Sequence, residues 1–311
     1  TFDTTLSLQP RSAAGGGRTR DEVISETAMD ILSRLPHRFD VESVSMVYPV
    51  KYEESMNTVL VQECIRYNRL ITVMRSTLVE IQKALKGLVV MSADLDEMGT
   101  AINSAKVPTV WEAKAYPSLK PLGAWVSELV DRLTFIQDWI TNGIPPVFWI
   151  SGFFFPQAFL TGARQNYARK MQLPIDTISF SFHALKKEWS TLVEPPPAGC
   201  YIRGLFLEGA RWNAERGVLD DSKPKVLYTG LPVLHLNPVQ HRVAPVKGVY
   251  RCPVYKILSR WGTLSTTGHS TNFIMWIELP SDRGDCTNNI GLADSDGWIK
   301  AGVAAFCALR Y

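Results

Sequence analysis

The sequence predicts an α+β protein, with an N-terminal helical subdomain containing one long helix, followed by a small antiparallel sheet that is curled or barrel-like. Up to about Met171, apolar residues recur every three or four positions, which is the helical period. From Asp176 onward, about six short strand-like runs are separated by turn signals. Two subdomains are the natural expectation for 311 residues. We expect a flexible loop over residues 1–19, a helical subdomain over 20–190 and a β-barrel-like subdomain over 191–311.

The helical part begins with a capping box, Thr19-x-x-Glu22, in which each side chain bonds the free backbone N–H of the other residue. This predicts a first helix that ends at Leu35. The longest helix is predicted over residues 56–85, because no Gly or Pro interrupts the apolar stripe there and Gly87 follows.

Three more helices are predicted over residues 92–103, 122–140 and 156–171. Pro121 is expected at the first position of the second of these, where its missing N–H costs nothing. The third is expected to expose its polar residues, which are Gln165, Asn166, Arg169 and Lys170.

Residues 139–163, which we call the seam, carry no charged side chain and contain five Phe and two Trp. A membrane-spanning helix needs about 20 apolar residues with backbone bonds closed inside the segment. Repeated Gly and Pro interrupt the seam, and it also has polar side chains. We therefore interpret it as a buried segment where the two halves of the molecule share one core.

The strand-like runs alternate apolar and polar residues or are rich in β-branched and aromatic ones. They cover residues 176–182, 200–208, 231–236, 248–257, 272–279 and 298–309. The acidic stretch Asp294-Ser-Asp-Gly297 predicts a hairpin turn before the last run.

The composition excludes several classes of protein. A net charge of +3 is too mild to indicate a nucleic-acid partner. The cysteines are scattered without a CxxC pair, so neither a zinc site nor a disulfide framework is indicated. The scattered cysteines and the absence of a glycosylation sequon together favour a reducing, cytosolic setting. The five cysteines are Cys64, Cys200, Cys252, Cys286 and Cys307.

The strongest catalytic candidate is Ser265 or Ser270 beside His269, as in a serine hydrolase. Neighbouring residues on an extended chain point to opposite faces, so His269 and Ser270 cannot pair readily. Hydroxyl groups that bind nearby backbone explain this run more simply. No phosphate-binding loop motif occurs either. We therefore predict no catalytic and no cofactor-binding residue.

Three weaker patterns could suggest metal or phosphate binding. His235 and His241 lie six positions apart, which is not a ligand spacing. The stretch at residues 294–297 lacks the third acidic ligand and the terminal Glu of a calcium loop. The glycines at 15–17 are not followed by Gly-Lys-Ser/Thr. We predict no metal ligand.

Several long segments follow one another in a distinctive order. They are YPVKYEESMNTVLVQE at 48–63, KGLVVMS at 86–92, YPSLKPL at 116–122, FWISGFFFPQAFLTG at 148–162, QNYARK at 165–170, GLFLEGARW at 204–212, CPVYK at 252–256 and GTLSTTGHSTN at 262–272. Over roughly residues 20–311 the sequence resembles the C-terminal region of dynein heavy chains. The last two segments favour the axonemal (ciliary or flagellar) kind.

The resemblance implies a helical part, whose start falls where the last AAA+ module ends, and then a small incomplete β-barrel. In that family the region lies against one face of a six-module ATPase ring. ATP and Mg are bound in that ring, so no cofactor is expected here. The expected partners are the AAA+ ring of the same heavy chain and, through the parent protein, intermediate and light chains and microtubules. No nucleic acid and no membrane are expected, and the expected location is the cytoplasm, cytoskeleton and axoneme of a cilium or flagellum.

Three functions remain open from the sequence. The first is a non-enzymatic module that packs on the ring and regulates ATP-driven movement. The second is a docking platform for other axonemal proteins or light chains. The third is a hydrolase that uses Ser265 or Ser270.

Overall fold

The computed structural model describes residues 18–243, 245, 248–264, 268–282 and 295–310, without the side chains of residues 295 and 296. The α+β class is confirmed. Most of the predicted loop over residues 1–19 lies outside the described residues, as do Ser265, Cys286 and Asp294. The predicted division of the chain at residue 190 stays a prediction.

The helices lie close to their predicted positions. Within the described residues they are Arg20–Arg34 (α1), Val41–Val47 (α2), Ser55–Leu85 (α3), Ala93–Asn103 (α4), Thr109–Glu112 (α5), Leu122–Asn142 (α6), Pro156–Met171 (α7) and Ser295–Lys300 (α8). The capping box is confirmed, because Glu22 N donates to Thr19 Oγ1 and Thr19 N donates to Glu22 Oε2. Pro121 stands one residue before α6 rather than at its first position.

Helix α3 is the centre of the helical part. Its 31 residues span roughly 46 Å, and it packs against α1, α2 and α4 to α7. It ends where predicted, because Gly87 adopts φ +70° and the N–H of Leu88 returns to the carbonyl of Lys83. Every other helix of the N-terminal part is therefore positioned by one rod.

The strands are more numerous than the sequence predicts, and many of them have only three or four residues. Those in the described part of the molecule are Val147–Trp149 (β1), Ile178–Ala184 (β2), Cys200–Arg203 (β3), Phe206–Glu208 (β4), Ala210–Asn213 (β5), Val218–Asp221 (β6), Tyr228–Gly230 (β7), Leu234–Gln240 (β8), Val249–Tyr255 (β9), Phe273–Pro280 (β10) and Ala304–Phe306 (β11). The run at 200–208 is split at Gly204, whose φ is +91°.

The prediction for residues 294–309 is wrong in its first half. Helix α8 replaces the predicted hairpin turn and the start of the predicted strand, and only β11 is extended. Gly302 separates the two at φ +68°. The run Trp298-Ile299 has no period that distinguishes a short buried helix from a strand, which explains the error.

The strands form two open sheets and a hairpin. One sheet has the order β1-β3-β8-β2 and the other β10-β9-β11-β4-β7, while β5 pairs with β6. Pairing is mostly antiparallel, but β1 runs parallel to β3 and β11 parallel to β9. Buried residues of the helices and of both sheets form one continuous apolar cluster. In the described part of the chain, the helices and both sheets thus share one core.

Candidate functional site

The aromatic core of the seam lies buried between the helices and the sheets, as predicted, whereas Ile144 and Phe155 are exposed. Trp139, Phe148, Phe153 and Phe159 are between 0% and 5% exposed. Their rings form one cluster, with centroid distances of 4.5 Å for Phe153–Phe159, 4.7 Å for Phe148–Phe159 and 5.4 Å for Trp139–Phe148. Ring contacts of this kind add to the free energy gained from apolar burial.

Helix α3 holds the seam through a buried carboxylate. Glu63 is 0% exposed and accepts hydrogen bonds from the backbone N–H groups of Phe154 and Phe155. Arg66 Nη1 lies 3.0 Å from its Oε1. Burial raises the pKa of Glu63, and these donors oppose that shift. One turn further, the Tyr67 hydroxyl donates to the carbonyl of Gly152 at 2.8 Å.

Helix α6 holds the seam through a buried cation. The guanidinium of Arg132 lies 3.7 Å from the ring centroid of Tyr116. Its Nη2 donates to Glu128 Oε1 at 3.1 Å, and its Nη1 donates to the carbonyl of Phe153 at 3.4 Å. Burial raises the pKa of Tyr116, so its ring stays neutral beneath the cation.

The sheets hold the seam from the opposite side. The Ser151 hydroxyl lies 3.1 Å from the carbonyl oxygen of Gly204 and also contacts that of Cys307. Gly204 is needed here, because φ is +91° and a Cβ atom would lie 2.4 Å from Trp149. The seam is therefore bonded to α3, α6, the β3–β4 junction and the residue after β11.

This arrangement is a structural junction. Its charged groups bond the backbone of the seam and one another, so α3 and α6 are tied to a segment that also bonds both sheets. Glu63, Glu128 and Arg132 were not predicted from the sequence. A signal existed, since each is a charged residue within or beside an apolar helical stripe, as Arg132 is next to Leu133.

The polar residues of α7 are not all exposed, which corrects the prediction. Asn166 Oδ1 accepts from the backbone N–H of Ser55, and Asn166 Nδ2 donates to Glu54. Gln165 and Arg169 bond the Ser55 hydroxyl, and only Lys170 is exposed. The reason is that the first N–H groups of α3 lack partners within their own helix.

The candidate hydrolase residues are not arranged as a catalytic set in the part of the molecule that is described. The hydroxyl of Ser270 accepts from the backbone N–H of Asn272 at 3.2 Å. The His269 ring lies against Phe273, with centroids 4.8 Å apart. Asn272 donates to the carbonyls of Ser259 and Trp261, so this stretch is a loop tied by its own polar groups.

Of the two histidines considered for a metal, His235 lies near the start of β8 and His241 directly follows its last residue. Along an extended strand six residues span roughly 20 Å, too far to share one ion. His235 Nε2 lies 2.8 Å from the carbonyl oxygen of Ala198, and its ring faces His183 across the sheet with centroids 6.0 Å apart. Within the described ranges, no group of three or more His, Cys, Asp or Glu is placed to hold a metal ion.

Fold and junction together define an α+β domain whose helices and sheets share one apolar cluster. The family model for the C-terminal domain of the dynein heavy chain matches residues 1–307, and the protein belongs to this family. It is 53% identical over 310 residues to dynein axonemal heavy chain 1 of Rattus norvegicus, covering 100% of this sequence and 7% of that protein.

Two other relatives are also axonemal. Identity is 50% over 308 residues with dynein axonemal heavy chain 3 of Homo sapiens, covering 99% of this sequence and 7% of that protein. Identity is 45% over 309 residues with dynein axonemal heavy chain 12 of Homo sapiens, covering 99% of this sequence and 10% of that protein. The predicted resemblance is confirmed, and the relatives indicate the axoneme of cilia or flagella as the location. No described helix is both long enough and apolar enough to pass through a bilayer.

Proposed function

We propose that this protein is a non-catalytic module that packs on the AAA+ ring of an axonemal dynein heavy chain and regulates its ATP-driven movement along microtubules. Membership of the family supports the assignment of this protein to a dynein heavy chain. The sequence spans 7–10% of the length of the relatives compared above, so ATP hydrolysis and microtubule binding are proposed for the remainder of the parent protein.

The observation that carries the proposal is an apolar surface at the end of a rigid rod. Directly after α3, four consecutive apolar residues at positions 88–91 face solvent, with Leu88 71% and Val90 90% exposed. Contiguous apolar surface of this kind is typical of a protein interface. We call residues 88–91 the α3 tip.

Helix α3 links this tip to the seam. Its C-terminal end leads into residues 88–91, and its N-terminal half carries Glu63 and Tyr67, which bond the seam. If the tip fits one state of the ring better than another, that difference in contact free energy biases the ring between the two states. The module then acts on the motor without any chemistry of its own.

The test uses the full heavy chain with a charge placed on the tip. In Val90→Asp we expect a changed microtubule-stimulated ATPase and gliding velocity, because a carboxylate cannot be buried unpaired at an interface. Val243→Asp is the matched control, since Val243 is a valine of similar exposure, 84% against 90%, on the β part. An unchanged ATPase and velocity in Val90→Asp would contradict regulation through the tip.

Deletion of the module separates this proposal from the docking alternative. A docking platform for other axonemal proteins or light chains would leave ATPase and gliding unchanged while partner binding is lost. The hydrolase alternative predicts labelling by a serine-reactive phosphonate that disappears in Ser265→Ala or Ser270→Ala. ATP hydrolysis by the isolated module would contradict the proposed non-catalytic role.

A further inference from the structure

A half-buried arginine lies at the end of β3 between two tryptophans. The guanidinium carbon of Arg203 is 4.0 Å from the ring centroid of Trp189 and 5.8 Å from that of Trp149. Trp149 is its partner in the parallel pairing of β1 with β3. The guanidinium therefore packs against aromatic surface.

The charge of Arg203 has no counter-charge in the described residues. Its Nε is buried and has no hydrogen-bond partner. Burial lowers its pKa, and no carboxylate opposes that shift. Arg132 shows the contrast, because Glu128 and a backbone carbonyl bond that cation. A partly desolvated cation without a counter-charge is typical of a binding site.

Arg203 lies in the wall of a cleft of about 660 Å³, which we call the Arg203 cleft. The cleft is basic, since Lys186 and Lys187 line it and Glu188 is its single acidic lining residue. Its remaining lining is largely apolar. The apolar side chains include Trp189, Trp212, Leu231 and Val233.

We propose that the Arg203 cleft is a docking site for an acidic polypeptide segment, which presents a carboxylate to Arg203 and an adjacent apolar side chain to the cleft wall. A guanidinium binds a carboxylate through two parallel hydrogen bonds, and Trp and Arg are frequent anchors of protein interfaces. This goes beyond the proposed function, which depends on the α3 tip and not on the Arg203 cleft.

A polypeptide fits the cleft better than a free anion. Inorganic phosphate would satisfy Arg203 but fill a small part of about 660 Å³ and leave the apolar wall in water. A segment with alternating acidic and apolar side chains complements the cations and the wall together.

The experiment measures fluorescence anisotropy of a dye-labelled peptide, Glu-Phe-Glu-Phe-Glu, titrated with the 311-residue protein. We expect saturable binding that weakens as salt screens the charges, and no comparable binding of Gln-Phe-Gln-Phe-Gln. Arg203→Gln should weaken binding at least about tenfold, because it loses a charge-assisted pair of hydrogen bonds.

Arg251→Gln is the matched control. Arg251 also stacks on a tryptophan, Trp276, at 5.0 Å, but it is exposed and lies outside the cleft. The Arg251→Gln variant should bind the peptide as tightly as the unchanged protein does.

Four outcomes would overturn the proposal. They are equal binding of the glutamine peptide, equal loss in both arginine variants, displacement of the peptide by inorganic phosphate at lower concentration than by unlabelled peptide, and no binding at all. If Arg203→Gln failed to fold, the exposed pair Lys186→Gln and Lys187→Gln would replace it, with weaker binding expected.

Discussion

Arg132, the buried cation that bonds the seam, should be needed for stability only while its acidic partner Glu128 is present. Arg132 is 3% exposed and Glu128 is 8% exposed. In Arg132→Met the carboxylate of Glu128 keeps, among the described residues, only the ion pair with Lys120, whose Nζ is 3.9 Å away, against 3.1 Å for the lost guanidinium. Removing one member of a buried ion pair costs about 3–5 kcal/mol, because the other charge remains desolvated.

This loss can be converted to a melting midpoint. The unfolding entropy of 311 residues is about 0.65 kcal/mol/K, so the midpoint should fall by about 5–8 °C. Calorimetry or circular dichroism on the purified protein measures it. Arg18→Met is the control, because the Arg18–Glu26 pair is exposed (70% and 52%) and should shift the midpoint by about 1 °C or less.

The double variant Arg132→Met with Glu128→Leu tests whether the unpaired charge of Glu128 causes the loss of stability. With no orphaned charge and apolar groups of similar size, it should recover most of the lost stability. A midpoint as low as the sum of the two single variants would show that the two residues act independently. The account of the seam as a junction held by coupled buried charges would then be refuted.

Three further predictions concern the same junction. Gly204→Ala should lose about 1–3 kcal/mol of stability, because alanine is strained at φ +91° and its Cβ would meet an indole ring; a midpoint equal to that of the unchanged protein would contradict this. Asn166→Ala should cost about 1 kcal/mol by freeing an N–H at the start of α3, whereas the exposed Lys170→Ala should cost nearly nothing in the same denaturation assay. Burial raises the pKa of Glu63 above 4.5, so the folded state binds that proton more tightly than the unfolded state. The stabilisation that comes from this raised pKa is complete below pH 4.5 and is lost as the pH rises through the pKa of Glu63 in the folded state. The free energy of unfolding, relative to that of Glu63→Gln, should therefore decline over that interval. Parallel plots of stability against pH for the two proteins would refute the assignment.

The helices were predictable because they are long. Their apolar stripes repeat over many turns, and local signals such as the capping box and Gly87 mark their ends. Strands β5, β6 and β7 have three or four residues each and depend on pairing with other short segments. Helix α2 was missed for a similar reason, since seven residues give less than two turns of pattern.

The seam was predictable as a buried segment but its bonding was not. Absence of charge over residues 139–163 indicates burial directly. The partners of its backbone, Glu63 and Arg132, lie on helices outside the seam, and only the packing of α3 and α6 brings them to it. Asn166 was predicted to be exposed because an amide on a helix surface normally is, while here it caps another helix.

Strand β11 lies between β9 and β4, in the middle of its five-stranded sheet, although it is the last of the described strands along the sequence. During synthesis, one edge of β9 and one edge of β4 therefore stay unpaired until residues 304–306 have left the ribosome. A stop codon only a few codons before residue 304 would leave both edges open to pairing with other molecules. Such a truncation should aggregate much as one far upstream would, despite removing so few residues.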